Sequence, residues 1–137
     1  MLVQNGETFT VNGKTIKPLR GRNCKSRNVI YVAQCSLCVS MCELINAYGG
    51  QTVQPLHKRV NGHRACFNIN DRDAIEKSAL ALHAFENHPD NFDLDNYKFM
   101  VYKQVNPINL NRHEAITIGT LRTGVLGLNR MKIQKAK

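Results

Sequence analysis

The segment Asn-Val-Ile-Tyr-Val-Ala-Gln at residues 28–34 decides the fold that the sequence predicts. It is short, apolar and rich in β-branched side chains, which is typical of a largely buried strand. A further strand is predicted at residues 47–51, where Gly49 and Gly50 weaken the propensity, and another at residues 97–105, where apolar residues alternate along the chain. Upstream, residues 8–16 place β-branched residues around Asn12-Gly13, the preferred pair for a type I′ hairpin.

Three helices are predicted around these strands. Pro55 can open a helix over residues 55–65, because a proline in the first turn loses no intrahelical hydrogen bond. Residues 73–87 carry apolar side chains at helical spacings and stop before His88-Pro89, and a last helix at residues 110–122 ends before Gly124. The order predicts an α+β domain, with a small antiparallel three-stranded core sheet, flanking helices and an N-terminal β-hairpin.

The composition restricts the class of protein. A length of 137 residues fits one ordinary domain, and 42% apolar with 21% charged residues exclude a disordered chain. No apolar run approaches the ~20 residues of a membrane span. The first residues have neither the basic nor the apolar region of a signal peptide. We therefore expect no membrane association and an intracellular location.

Charge and cysteine content point to a polyanion and to a metal. Nineteen Lys and Arg against ten Asp and Glu give a net charge of +9, which favours nucleic acid, although many small basic proteins are merely soluble. The basic residues form two flanks, at 17–27 and 130–137, that could hold one backbone. Five cysteines, an odd number without a secretion signal, indicate thiols or a metal rather than disulfides.

One set of residues has the chemistry to hydrolyse a phosphodiester, which needs an activated water, a metal ligand and a cation on the phosphate. The set is Tyr31, Tyr48, Arg59, His63, Glu114 and Asn129. Its members stand in the runs Val29-Ile30-Tyr31, Tyr48-Gly49-Gly50, Arg59-x-x-x-His63, Arg112-His113-Glu114 and Gly127-Leu128-Asn129. In this order the sequence resembles the GIY-YIG endonuclease family over about residues 24–130, with Val29 in place of the first glycine.

The resemblance implies one-metal hydrolysis of DNA. Glu114 would hold Mg²⁺ or Mn²⁺, and Tyr31 would orient or deprotonate the attacking water. Arg59 would lower the pKa of Tyr31 and clamp the phosphate. Because Arg59 and His63 are four residues apart on a helix, both could address the same phosphate. Tyr48 would complete the site from the neighbouring strand.

Each of these residues also has a simpler interpretation. Taken alone, Tyr31 is a core tyrosine, and Arg59 with His63 is a solvated helix face. Glu114 is a carboxylate favoured by a helix dipole, and Asn129 is part of a loop. By resemblance, Asn129 would instead hold a loop or a phosphate through its amide. The family likeness also divides the chain into a hairpin extension at 1–23, a nuclease domain at 24–130 and a basic tail at 131–137.

The spacing between the two tyrosine motifs is longer than the family core usually has, and this insertion contains Cys35-Ser-Leu-Cys38. In this respect the chain resembles the endonuclease of Penelope-like retroelements, in which a C-x-x-C between the motifs is followed by two histidines. The matching pair here is His83 and His88. Thiolates and imidazoles make tetrahedral zinc sites, so the resemblance implies a structural Zn²⁺ bound by these four residues.

Two points about this zinc site stay open in the sequence. Histidines five residues apart on a regular helix point in different directions, so His83 and His88 could share an ion only if the helix ends near His88. Cys24 and Cys42 are rival ligands, and a site made of four cysteines would suit zinc equally well.

Three hypotheses follow. The first is a metal-dependent DNA endonuclease of Penelope-like type, which nicks DNA to expose a 3′ end. The second is a zinc-stabilised nucleic-acid-binding module without cleavage, and the third is a restriction or repair nuclease of the same family. The first implies DNA as partner, a nuclear location and a reverse transcriptase in a larger polyprotein. The oligomeric state is open.

Overall fold

The structure, a computed structural model, describes residues 8–41, 46–121, 123 and 129. Within these ranges the strands are β1 (Phe9–Val11), β2 (Lys14–Ile16), β3 (Val29–Cys35), β4 (Ala47–Thr52) and β5 (Tyr97–Gln104). The α-helices are α1 (Ser36–Ser40), α2 (Leu56–Ala65), α3 (Arg72–Glu76), α4 (Ala79–Asn87) and α5 (Leu110–Leu121). Short 3₁₀ turns lie at Pro89–Asn91, Leu94–Asn96 and Pro107–Asn109.

The central sheet has the order β4-β3-β5, and both pairings are antiparallel. Every residue of β3 is buried, which explains why its sequence is apolar without alternation. Tyr31 lies opposite Gly50 of β4 and Val101 of β5, and a bulge follows Ile30 in the pairing with β5. The predicted α+β fold, its three-stranded antiparallel sheet and its N-terminal hairpin are confirmed.

Two layers cover the sheet. On one face, Tyr31 and Phe99 pack with Leu56 and Val60 of α2 and with Leu80 of α4. On the other face, the β1–β2 hairpin and α5 form a second cluster, whose members are Phe9, Val11, Ile16, Val32, Ala47, Met100 and Leu121. Burying such a side chain contributes about 1.5–3 kcal/mol, so the hairpin helps to stabilise the sheet.

The hairpin turn follows the predicted chemistry. Asn12 has φ 50° and Gly13 has φ 83°, the left-handed conformations that a type I′ turn requires at both central positions. The Asn12 side-chain amide also donates to the carbonyl of Leu121, over 2.8 Å. The turn is therefore fixed both by its own backbone and by the end of α5.

Residues 73–87, predicted as one helix, belong to two helices, because the helical backbone is interrupted at Ser78. Ser78 has an extended backbone with φ −126° and ψ 122°, and its Oγ accepts the N–H of Ala81 to cap α4. The same Oγ lies 2.8 Å from Nδ1 of His63 on α2. Periodicity alone missed this boundary, since the contact that favours it joins two distant parts of the chain. The predicted end before His88-Pro89 is confirmed, since α4 ends at Asn87.

The other differences are small. Pro55 is the N-cap of α2 rather than its first residue, and β5 ends at Gln104, one residue early. The five-residue α1 was not predicted. The predicted helix end before Gly124 lies outside the described residues. None of the helices that the structure describes is long and apolar enough to cross a membrane.

Candidate metal site and tyrosine site

Cys35, Cys38, His83 and His88 converge at the carboxyl end of β3. Their ligand atoms all lie within 4.8 Å of one another. The Sγ of Cys38 is 3.2 Å from Nε2 of His83 and 3.2 Å from Nε2 of His88. We refer to these four residues as the Cys/His cluster. This set of two thiols and two imidazoles could hold a metal ion such as zinc.

Local structure explains why the four residues meet. Cys35 is the last residue of β3 and the N-cap of α1, and the first turn of α1 brings Cys38 back beside it. Helix α4 ends at Asn87, and His88 leaves it with φ −136° and ψ 53°. This departure from helical geometry allows His83 and His88 to face one point although they are five residues apart. The sequence allowed both histidines to share an ion only if the helix ended near His88, and α4 does end there.

The electrostatics of the Cys/His cluster favour neutral imidazole, the form that binds metals. Burial, and then the neighbouring His88, lower the pKa of His83 to about 4, so its ring is uncharged at neutral pH. Asn87 Nδ2 lies 3.2 Å from Nδ1, the ring nitrogen of His83 that faces away from Cys38. Nearby, Tyr97 donates its hydroxyl to the carbonyl of Leu80 over 2.8 Å and ties β5 to α4. Burial and then Cys35 and Cys38 raise the pKa of Tyr97.

The cluster fits a closed zinc site. Zn–S bonds of about 2.3 Å and Zn–N bonds of about 2.0 Å in a tetrahedron place sulfur and nitrogen ~3.5 Å apart, close to the observed separations. Four protein ligands would complete the coordination of such an ion, an arrangement that is typical of structural rather than catalytic zinc. Cys24 does not belong to the cluster: it precedes β3, whose seven residues span about 20 Å to Cys35. Cys42, the other rival, lies outside the described residues.

A second group of residues, the tyrosine site, lies further back along β3. Tyr31 is fully buried, and its hydroxyl is 2.9 Å from Nε2 of His63. The ring of Tyr48 on β4 lies 6.3 Å from that of Tyr31. The guanidinium of Arg59 on α2 interacts electrostatically with both tyrosine hydroxyls, and this interaction raises the pKa of Arg59. Four of the six predicted catalytic residues thus form one group, in which Tyr31 and Tyr48 face the partly buried Arg59 and His63 contacts Tyr31.

His63 is buried against Tyr31 and does not share a solvent-exposed face of α2 with Arg59. Its side chain is 2% exposed, and both ring nitrogens are engaged: Nε2 with Tyr31 and Nδ1 with Ser78 Oγ. The phenol can donate to Nε2 while Nδ1–H donates to Ser78 Oγ, which also accepts from the N–H of Ala81. The sequence prediction that His63 and Arg59 address one phosphate together does not fit this position. The geometry makes His63 a proton partner of Tyr31.

The surroundings of Tyr31 favour a protonated phenol. Burial raises its pKa well above the usual range, and the charges of Tyr48 and Glu114 add to that effect. Arg59 lowers the pKa of Tyr31, as the sequence predicted, but burial outweighs it. Burial lowers the pKa of Arg59, but the interactions with Tyr31 and Tyr48 together outweigh burial and raise that pKa overall. The guanidinium therefore stays charged.

Gly50 is required by its cross-strand position. A Cβ at this residue would lie 2.4 Å from Cζ of Tyr31 and 2.5 Å from its hydroxyl oxygen, which is closer than any side chain tolerates. The ring of Tyr31 therefore lies directly over the backbone of β4. The neighbouring Gly49 differs, because a Cβ there would meet side chains of the opposite layer at 3.6 Å or more.

Glu114 on α5 lies beside β4 and not at the Tyr31–His63 contact. The amide of Gln51 donates to its carboxylate over 3.3 Å and also bonds the side chain of Asn111. Sequence reasoning missed Gln51 as a partner of Glu114, since nothing in the sequence gives the register of α5 against β4. The Glu114 charge raises the pKa of Tyr31, which links the carboxylate electrostatically to the tyrosine site.

Asn129 is fully buried and holds the backbone of β4. Its Oδ1 accepts the N–H of Gly49 over 2.7 Å, and its Nδ2 donates to the Gly49 carbonyl over 2.8 Å. Because β4 is at the edge of the sheet formed by the described residues, that sheet offers these backbone groups no further strand to pair with. These contacts are to a strand, whereas the resemblance implied that Asn129 holds a loop or a phosphate.

Searches of protein-family models, of curated proteins and of solved structures found no match to this chain. What the two sites can do therefore rests on their residues and geometry.

Proposed function

We propose that this protein is a metal-dependent endonuclease that nicks DNA. The observation that carries the proposal is the tyrosine site, where Tyr31 contacts both the charged guanidinium of Arg59 and Nε2 of His63. A phenol beside a fixed cation and a proton acceptor matches the needs of phosphodiester hydrolysis, which must orient a water, move a proton and stabilise phosphate charge.

The residues suggest a division of work during hydrolysis. Tyr31 orients the attacking water, and since its pKa is raised, it does not act as a preformed phenolate. As the water attacks phosphorus, its proton passes to the phenol oxygen, and the phenol proton passes to Nε2 of His63. Ser78 holds the far side of the imidazole, and Arg59 stabilises the charge that develops on the phosphate.

Glu114 offers the oxygen ligand that Mg²⁺ or Mn²⁺ prefers. Such an ion, when bound, would supply Lewis-acid stabilisation of the phosphate and the leaving oxygen. Gln51 bonds the Glu114 carboxylate, which orients it from β4. We assign the zinc of the Cys/His cluster a structural role, because all four ligands come from the protein.

The particular type of nuclease follows from the insertion. A Cys/His cluster whose two cysteines lie between the tyrosine motifs resembles the endonuclease of Penelope-like retroelements more than a restriction or repair nuclease of the GIY-YIG family. We therefore propose that the protein cleaves target DNA for such an element, with a reverse transcriptase as partner in a larger polyprotein. A nuclear location would follow from that role.

Nicking of supercoiled plasmid tests the proposal. We expect zinc-loaded protein to convert plasmid to the nicked circle with Mg²⁺ or Mn²⁺ and not with a chelator. Glu114→Ala should lose this activity, while it keeps its fold, its zinc and its DNA binding. Asn111→Ala is a control, since Asn111 bonds Gln51 but offers no carboxylate.

A binding module without cleavage is the second candidate, and the burial of Tyr31 is the observation that favours it. That function predicts protein that binds plasmid and carries zinc but leaves the plasmid intact with every metal. Such a result would replace the nuclease proposal.

A further inference from the structure

Charge is unevenly distributed along the chain. No Asp or Glu occurs in residues 8–41 or 46–70, whereas seven of the ten acidic residues lie between Asp71 and Asp95. The acid-free part includes residues 17–28, which we call the basic segment. Its five cationic side chains are all exposed, and they are Lys17, Arg20, Arg22, Lys25 and Arg27.

The basic segment has no helix or strand, yet backbone hydrogen bonds hold it in place. The N–H of Leu19 donates to the carbonyl of Val101 over 2.7 Å, and Leu19 packs against the core cluster that includes Tyr31. Inside the segment, Asn23 and Ser26 close a turn with bonds of 2.8–3.1 Å. The charged side chains therefore project from a fixed frame.

This frame is attached to the elements that carry the tyrosine site. The carbonyls of Cys24 and Ser26 accept the N–H groups of His57 and Leu56, at the start of the helix that carries Arg59. Asn28 lies three residues before Tyr31 in the chain, and its carbonyl accepts the N–H of Val105. Arg59 is one helical turn beyond Leu56. The basic segment is therefore attached to the two elements that carry Arg59 and Tyr31, namely α2 and β3.

Cations outside the segment are in a different electrostatic setting. Arg64 pairs with Asp95 over 3.2 Å, and Arg72 pairs with Glu76 over 2.9 Å. The described residues show no ion pair for any cation of the basic segment. A polyanion is therefore attracted to residues 17–28 and repelled by the acidic stretch 71–95.

We infer that the basic segment is a contact surface for the phosphate backbone of duplex DNA and that it leads the bound strand to Tyr31 and Arg59. This inference deepens the proposed function and rests on it for the choice of partner. Its own chemistry is the release of counterions, in which each neutralised phosphate contributes about −0.9 to the slope of log K against log salt.

The experiment compares two triple variants with equal charge change in the full chain. Arg20→Glu/Lys25→Glu/Arg27→Glu alters the basic segment, and Lys14→Glu/Lys77→Glu/Lys98→Glu alters exposed cations elsewhere. Binding to a fluorescent DNA duplex is measured across a salt series by anisotropy, with an RNA duplex of the same sequence as comparison. Circular dichroism and zinc content check that each variant is folded. If either is not, Gln replaces Glu at all six positions, so that the charge changes stay equal.

We expect the basic-segment variant to lose about 100-fold in DNA affinity at ~0.15 M salt and about 2–3 units of salt slope. The control triple should change affinity by less than about threefold. Equal losses in both variants, unchanged affinity in the first, or tighter binding of the RNA duplex would overturn the inference. Wild-type protein that binds through the segment but never nicks plasmid would refute the proposed nuclease and leave this surface standing.

Discussion

The two candidate sites lie along the same strand, β3, but they are built in opposite ways. The Cys/His cluster takes Cys35 and Cys38 from one turn of chain and His83 and His88 from one helix end. The tyrosine site takes single residues from β3, β4 and α2, and it depends on cross-strand and interlayer contacts. Short spacings therefore reveal the first site, whereas only the packed fold assembles the second.

The comparison also separates stability from chemistry. The Cys/His cluster brings the insertion against α4, and a metal bound there would have four protein ligands, so loss of the cluster should damage the fold. The tyrosine site has a charged Arg59 and a phenol in contact with His63, so its loss should damage activity. Variants at each site should consequently fail in different assays.

Removal of a zinc ligand has the largest expected effect. Cys38→Ser should abolish zinc binding and lower the free energy of unfolding by at least ~4 kcal/mol, or about 15 °C in Tm, because a metal held by the cluster would link α1 to α4. Zinc analysis and thermal unfolding followed by circular dichroism measure both quantities. Cys66→Ser is the matched control, since Cys66 lies outside the cluster and should keep zinc and Tm. A zinc-free Cys38→Ser protein with wild-type Tm would refute the stabilising role.

Removal of the phenol hydroxyl should have the largest effect on activity among folded proteins. Tyr31→Phe keeps the ring but removes the group that bonds His63, so nicking should fall by about 10²–10⁴-fold. Tyr97→Phe, on the next strand, removes a buried hydroxyl that donates to Leu80. It should cost about 1 kcal/mol of stability and leave the nicking rate unchanged. The division between the two regions fails if Tyr97→Phe reduces nicking as much as Tyr31→Phe.

Alanine at Gly50 tests the close approach of Tyr31 to β4. A new Cβ must displace the ring, and a shift of about 1 Å at a reacting group typically costs about 100-fold in rate. Gly49→Ala adds the same methyl group one residue earlier, where ordinary van der Waals contacts surround it. Nicking rates of the two zinc-loaded variants decide the matter, and equal rates would show that Tyr31 is not confined by Gly50.

The smallest expected effect concerns Gln51. Gln51→Ala releases the Glu114 carboxylate. We therefore expect about tenfold weaker affinity for Mg²⁺ or Mn²⁺, with the same nicking rate at saturating metal. Titration of nicking activity with Mn²⁺ measures the shift. Gln54→Ala is the control, because Gln54 lies two residues beyond the end of β4 and bonds Thr52 through its backbone atoms. An unchanged Mn²⁺ titration would remove Gln51 from the site.

Much of the fold follows from local sequence, and the exceptions share a physical cause. The continuous apolar run of β3 and the Asn12-Gly13 turn determine their own conformations, so both predictions are confirmed. The interruption between α3 and α4 at Ser78 depends on a contact with His63, fifteen residues away. The spacing of apolar residues along the helix carries no information on that contact. Helix α1 is only five residues long, and for so short a helix the sequence propensity carries little information.

The same reasoning applies to the sites. The C-x-x-C and the two histidines gave the correct members of the Cys/His cluster, but the exclusion of Cys24 required the direction of β3. Periodicity placed Arg59 and His63 on one helix face, yet burial turns His63 toward Tyr31. Burial also reverses the expected net shift in the pKa of Tyr31, since desolvation depends on the whole layer of α2 and α4 above the sheet.

The most direct test of the account is a metal-replacement measurement on wild-type protein. The protein is dialysed to remove weakly held ions, its zinc content is determined, and plasmid nicking is then followed with and without added Mn²⁺. We predict about one zinc per chain before and after dialysis, no nicking by this zinc protein alone, and nicking restored by Mn²⁺. Nicking that follows the zinc content without added Mn²⁺ would contradict the separation of a structural cluster from a catalytic tyrosine site.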